Sequence, residues 1–154
     1  LSKFHFLESL YVTKIIPSSI NIKVSKTPII GKTIINGEKF YIGKNGNFIN
    51  SEQITEETNV ASVFGDFKAD DFINLKKILN QYGSRFNSVS NYYYYKNKRW
   101  DLLFSDGQIL MLPSKKYEKS IKIYKKLLDN KNLINTKIID LRVTNQIILT
   151  SKDE

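Results

Sequence analysis

The chain contains no cysteine, a single histidine (His5), and no arginine beyond Arg85, Arg99 and Arg142. Without cysteine there is no disulfide, no thiolate metal site and no cysteine nucleophile. His5 has no serine or carboxylate at a motif spacing, so it makes no case for a catalytic histidine. Gly-x-Ser-x-Gly, a phosphate-binding glycine loop and His-Glu-x-x-His are all missing. Gly43-x-x-Gly46 belongs to a turn and lacks the following Lys-Ser/Thr. The paired carboxylates, Glu56-Glu57 and Asp70-Asp71, are adjacent in sequence and point in different directions, which suits a solvated loop and a helix start better than an acid–base pair. Long apolar runs are lacking too: no window approaches the roughly 18–20 residues of a membrane-spanning helix. Residues 1–15 do not have the charged, apolar and small-residue order of a signal peptide. These absences leave no catalytic residue, cofactor or metal set, and no enzyme class is supported.

What is present suffices for a core. In 154 residues, 41% are apolar and 12% aromatic, enough for one domain or for one domain and part of another. The formal charge is +9, and nearly all of it is lysine. Isoleucine, asparagine and lysine share A/T-rich codons, so base composition explains much of the basicity without an anionic partner; nucleic acid or an anionic membrane surface is the alternative.

The apolar spacing predicts an order of elements. Residues 1–30 read as a short helical end followed by two strands: a β-prone run at 10–16, a turn at Pro17-Ser18-Ser19, and period-two alternation at 20–24. A hairpin of 39–42 and 48–49 turns at Asn45-Gly46, a pair suited to positive φ. Residues 50–68, with Glu52, Glu56 and Glu57, read as a loop. A helix is predicted over 70–82, with Phe72, Leu75, Leu79 and Tyr82 in one stripe, Asp70 and Asp71 in its first turn, and Gly83 closing it. Strands at 86–95, 99–104 and 109–112 follow, the last two joined through Ser105-Asp106-Gly107. Ser114 caps a second helix to about 129, with Tyr117, Ile121, Tyr124 and Leu128 facing inward and Lys115, Lys119, Lys122 and Lys126 forming another stripe. Strands at 138–143 and 146–150, joined by Thr144-Asn145, close the chain. The fold class is α+β: a mainly antiparallel sheet with two helices packed on it.

Two features invite a binding role. In the aromatic and basic run from Tyr92 to Trp100, tyrosines beside cations offer stacking for a single-stranded nucleic acid. The alternative is a strand with Tyr92 and Tyr94 on one face and Tyr93 and Tyr95 on the other, followed by a basic hairpin tip and a buried Trp100, and we prefer this. The lysine stripe likewise reads as a solvated helix face.

The order of motifs carries more. "IIPSSINIKVSKTPII", "FYIGKNGNFI", "VASVFG", "KNKRWDLLFSDGQILMLP" and "IIDLRVTNQIILT" occur in that order. Together they resemble the FtsQ/DivIB family of bacterial cell-division proteins, with Gly46, Gly65, Trp100, Gly107 and Asp140-Leu141-Arg142 on its pattern positions. The match covers residues 10–150. The chain departs from the pattern at Ser25, Gly43, Ala61 and Asn145-Gln146.

The resemblance implies the C-terminal part of a POTRA domain over residues 1–28 and a β domain over 29–154. It also implies a membrane helix and the rest of POTRA upstream, on a protein anchored in the bacterial inner membrane with this part on the periplasmic side. By the same resemblance the protein is a non-enzymatic divisome scaffold whose β domain recruits FtsB and FtsL, with an extended FtsB segment added to the terminal strand. Val143, Asn145, Gln146, Ile148 and Thr150 match partner-contact positions on the terminal hairpin, and Lys98 and Arg99 match a basic site for partner carboxylates. Asp140 and Arg142 read as structural. In the last strand Ile147 and Leu149 face one way, and Gln146, Ile148 and Thr150 the other, so one set can sit on the core while the other meets the partner. A proline at Ile148 is then expected to abolish binding and spare the fold.

Overall fold

The computed structural model describes residues 4–55, 58–129, 133, 135–143 and 145–151. Glu56, Glu57 and Thr144, all named above, lie outside the described residues. The chain divides into two compact units, Leu1–Val60 and Ala61–Glu154.

In the first unit β1 (Leu7–Ile15) and β2 (Ser19–Lys26) form an antiparallel hairpin. Strand therefore begins at Leu7, where a helical end was expected. Pairing with β2 extends the β-prone run backwards, and the Ser9 and Ser25 hydroxyls meet at 2.6 Å. Leu10 lies opposite Val24 and Val12 opposite Ile22, so one face of the hairpin is aliphatic. Three further strands follow: β3 (Ile29–Ile35), β4 (Glu38–Gly43) and β5 (Phe48–Asn50). They pair antiparallel in that order. The sequence reading missed β3, although its turn carries a signal: Asn36 and Gly37 both have positive φ, 52° and 85°, as a two-residue hairpin requires. Asn45 ties the β4–β5 turn to the start of β1, its Nδ2 donating to the carbonyls of His5 and Leu7 at 3.2 Å each.

The second unit runs β6 (Ser62–Phe64), α1 (Ala69–Leu79), β7 (Val89–Tyr94), β8 (Trp100–Phe104), β9 (Ile109–Met111), α2 (Tyr117–Asp129), β10 (Thr136–Asp140) and β11 (Ile148–Ser151). Its strands lie in the order β11-β10-β9-β8-β7-β6. Pairs β7/β8, β8/β9 and β10/β11 are antiparallel, whereas β6/β7 and β9/β10 are parallel. Each parallel pair is bridged by a helix, the length of connection needed to return the chain to the same end. The fold is α+β with a mainly antiparallel sheet, as the sequence indicates, but these two crossovers were not visible in it.

Both helices pack on one sheet face. Along one row Val63, Tyr92, Leu102, Leu110 and Ile139 align through successive strand registers, and all five are fully buried. Phe72 of α1 meets Tyr92 at 5.1 Å and Trp100 at 6.0 Å between ring centroids, and Tyr124 of α2 stacks on Phe104 at 5.8 Å. Asp71 accepts from the Lys68 N–H at 3.4 Å, closing the first turn of α1 as a carboxylate there should. Helix α2 starts at Tyr117, later than a Ser114 cap would place it, because Lys116 adopts φ of 56°. Residues 84–88 form a 3-10 turn in place of the expected strand start. Arg85 is the reason: from that turn it donates to the hydroxyl of Tyr124 at 3.2 Å and to Asp106 at 2.8 Å. Among the described residues no helix is long and apolar enough to cross a membrane.

Candidate partner-binding edge

The terminal strand β11 is the outermost strand of its sheet, and among the described residues no strand pairs with its far side. Its hydrogen-bonding direction follows from its neighbours. Leu141 donates its N–H to the Met111 carbonyl of β9 at 3.0 Å. Backbone groups alternate sides along a strand, so residues 139 and 141 address β9 while 138 and 140 address β11. Asp140 lies opposite Ile148 and Ile138 opposite Thr150. Ile148 and Thr150 thus spend their backbone groups on β10, and Leu149 turns its N–H and C=O to the open edge.

This corrects one expectation and refines another. Ile147, Ile148 and Leu149 are 44%, 50% and 45% exposed, so neither side-chain set of β11 sits on the core. The described ring contacts of the helices reach β7 and β8, and the last strand stands beyond that cover. The strand also begins two residues later than expected, with Gln146 and Ile147 outside it. Gln146 donates its N–H to the Val143 carbonyl at 3.2 Å. Asn145 holds the turn with φ of 64°, a left-handed conformation asparagine tolerates. Val143, Asn145 and Gln146 are exposed and Thr150 is half-buried.

The two basic residues at the β7–β8 turn make different contacts. Lys98, at φ of 63° on the β7–β8 turn, borders a cleft of about 620 Å³ lined by Gly65, Lys68, Asp71 and Tyr94 among others. Arg99 lies instead over the Tyr95 ring, its Cζ 4.0 Å from the ring centroid, and reaches Asp101 at 3.5 Å. Asp101 is 3% exposed. It shares a row with Met111, Asp140 and Ile148, on the face opposite the helices. Burial pushes its carboxyl above the usual range, opposed by Arg99, the Tyr95 hydroxyl and Arg142. Asp140 differs. The Arg142 side chain holds it below the usual range, with Nε at 2.9 Å, a terminal nitrogen at 2.6 Å and the Arg142 backbone N–H at 3.0 Å. Asp140 and Arg142 therefore bind each other. Arg99 joins the same electrostatic cluster from the other end of the row. The burial of Asp101 was missed, and only its place directly after a core tryptophan hinted at it.

The aromatic run is mostly spent inside the fold. Tyr92 and Trp100 are buried, Tyr94 packs on Trp100 at 4.7 Å, and Tyr93 stacks on Phe64 at 5.4 Å. Tyr95 is left 40% exposed and carries Arg99, and Phe64 is 39% exposed.

A family model described as cell division protein FtsQ/DivIB, C-terminal, matches residues 34–142. Cell division protein FtsQ of Rickettsia bellii is 28% identical over 148 residues, covering 95% of this chain and 55% of that protein. The protein of the same name from Rickettsia conorii is 27% identical over 149 residues with the same coverage. The chain spans about half the length of these relatives. Among solved structures, the major extracytoplasmic domain of the trans isomer of the cell division protein DivIB from Geobacillus stearothermophilus aligns with a TM-score of 0.46 and 15% identity, covering 70% of this chain and 98% of that one.

Proposed function

The chain belongs to the FtsQ/DivIB family of cell division proteins, and from that premise we propose that its Ala61–Glu154 unit is a non-enzymatic recruiting module of the division machinery. It takes an extended segment of FtsB, in complex with FtsL, as an added strand on the open edge of β11. The observation that carries this reading is that edge: a strand whose far side pairs with no other strand among the described residues and three half-exposed aliphatic residues. Native proteins usually blunt such an edge with charge, proline or a covering element. Left open, it supplies main-chain hydrogen bonds for affinity and alternate side chains for register. On this reading Ile148 and Thr150 contact the partner through their side chains, Val143, Asn145 and Gln146 frame the entry of its strand, and Lys98 and Arg99 meet its carboxylates.

The same reading takes residues 1–28 as the end of a POTRA domain and 29–154 as the β domain, held at the periplasmic face of the inner membrane by a helix upstream. The aliphatic face of the β1–β2 hairpin, with Leu10, Val12, Ile20, Ile22 and Val24 all at least 41% exposed, is what a sheet completed by further elements would present.

The test is calorimetric titration of this chain with a synthetic peptide spanning the C-terminal extracytoplasmic part of FtsB from the same organism. Saturable one-to-one binding is expected. Leu149→Pro, which removes the outward-facing donor, should abolish it while the protein stays folded. Ile148→Pro, the substitution the sequence suggested, would strike the bond to β10 and confuse edge loss with unfolding. A folded Leu149→Pro protein that binds the peptide as tightly as the parent would overturn strand addition at this edge.

A further inference from the structure

Arg99 and Asp101 form an ion pair that is poor by the standard of its neighbour. Arg142 grips Asp140 with two side-chain contacts, at 2.6 and 2.9 Å. Arg99 reaches Asp101 through one terminal nitrogen at 3.5 Å, and both Nε of Arg99 and Oδ1 of Asp101 are buried with no hydrogen-bond partner. Buried polar atoms are nearly always satisfied, and an unsatisfied pair calls for a reason other than stability. Geometry supplies one. The guanidinium carbon lies over the Tyr95 ring, 4.0 Å from its centroid, a cation–π contact that limits where the group can go. The carboxylate of Asp101 is the only hydrogen-bond acceptor of the Arg99 side chain among the described residues.

We propose that Asp101 is a positioning residue for partner recognition: its buried carboxylate anchors Arg99 on the Tyr95 ring and so presents the outer face of the guanidinium to a carboxylate of the partner. The proposal rests on the recruiting role above and adds to it a residue that itself touches nothing on the partner. A loose anchor suits the task, because the fewer of its five N–H groups a guanidinium spends inside the fold, the more it has to offer an incoming anion.

Two measurements on the whole chain test it, one of them free of any partner. The first is 15N relaxation of the Arg99 Nε–Hε group. An order parameter near that of rigid backbone, about 0.85, is expected in the parent and one below about 0.6 in Asp101→Asn. The second is a double-mutant cycle with the FtsB peptide. Asp101→Asn and Arg99→Gln should each weaken binding roughly tenfold, and the double variant should be no weaker than either alone. If Asp101→Asn does not fold, Asp101→Ser replaces it in both. An Arg99 side chain equally rigid without Asp101 overturns the proposal whatever the peptide does, and additive losses overturn it as well. A parent chain that shows the expected relaxation but binds no peptide removes the recruiting reading and, with it, the recognition role of Asp101.

Discussion

Gly65 offers the sharpest test of how the second unit is built. It follows β6 and sits at φ of +111°, and a Cβ placed on it would lie 2.1 Å from the Tyr94 carbonyl oxygen and 3.0 Å from its carbon. Ordinary carbon–oxygen contact begins near 3.3 Å, so the overlap exceeds an ångström and is against backbone, which cannot swing aside. Two costs add in Gly65→Ala. A non-glycine residue held in a sparsely populated conformation costs about 1–3 kcal/mol. Forcing strand β7 away from its place, and with it the Tyr94–Trp100 contact, costs about 1–3 kcal/mol more. A loss of about 4 kcal/mol is therefore expected. Gly107→Ala is the control in the same unit: φ is +83° but nothing lies within 4 Å of the new carbon, so only the left-handed conformation is penalised, by about 1–2 kcal/mol. Urea unfolding followed by fluorescence reads both variants, since Trp100 is the chain's sole tryptophan and is buried in this unit. Equal losses in the two variants would refute the close-approach argument.

Further outcomes follow from the same geometry. Ile148→Pro should fray β11 and cost about 1 kcal/mol or more through its lost bond to Asp140, whereas Leu149→Pro should change stability by less; hydrogen exchange at Ile138 and Asp140 reads the difference. Tyr124→Phe removes a hydroxyl that accepts from Arg85 at 3.2 Å and donates to Gln108 at 2.8 Å, and should cost about 1–2 kcal/mol by urea unfolding; an unchanged midpoint would mean that water replaces it. Asp140 is held below its ordinary value by Arg142, so its contribution is complete above about pH 4 and is lost as pH falls through its lowered value. The gap between the parent and Asp140→Asn, about 1–2 kcal/mol at pH 7, should close on acidification. Asp101 runs the opposite way: burial raises it, and the cost of its charge is relieved as pH falls.

Local chemistry is what the sequence settled by itself. The apolar stripe of Phe72, Leu75 and Leu79 made α1, Asp71 closed its first turn, and the turns at Asn45-Gly46 and Asp106-Gly107 followed from their glycines, which alone of each pair take positive φ. The order of five motifs along the chain also pointed to the family. Each of these signals is carried by neighbours within about two helical turns, or by linear order, and survives without knowledge of what packs where. Tertiary structure alone decided the rest. Whether β9 and β10 run parallel depends on where α2 returns the chain. Which backbone groups of β11 face outward depends on the bond from Leu141 to β9, and that choice moved the informative proline from Ile148 to Leu149. Lys98 and Arg99, adjacent in sequence, make different contacts: Lys98 borders a cleft, and Arg99 lies over Tyr95, a ring that lines the same cleft. Asp101 looks like any strand aspartate until the sheet buries it beside two arginines. Its environment is set by residues up to forty positions away, and periodicity within one strand cannot report it.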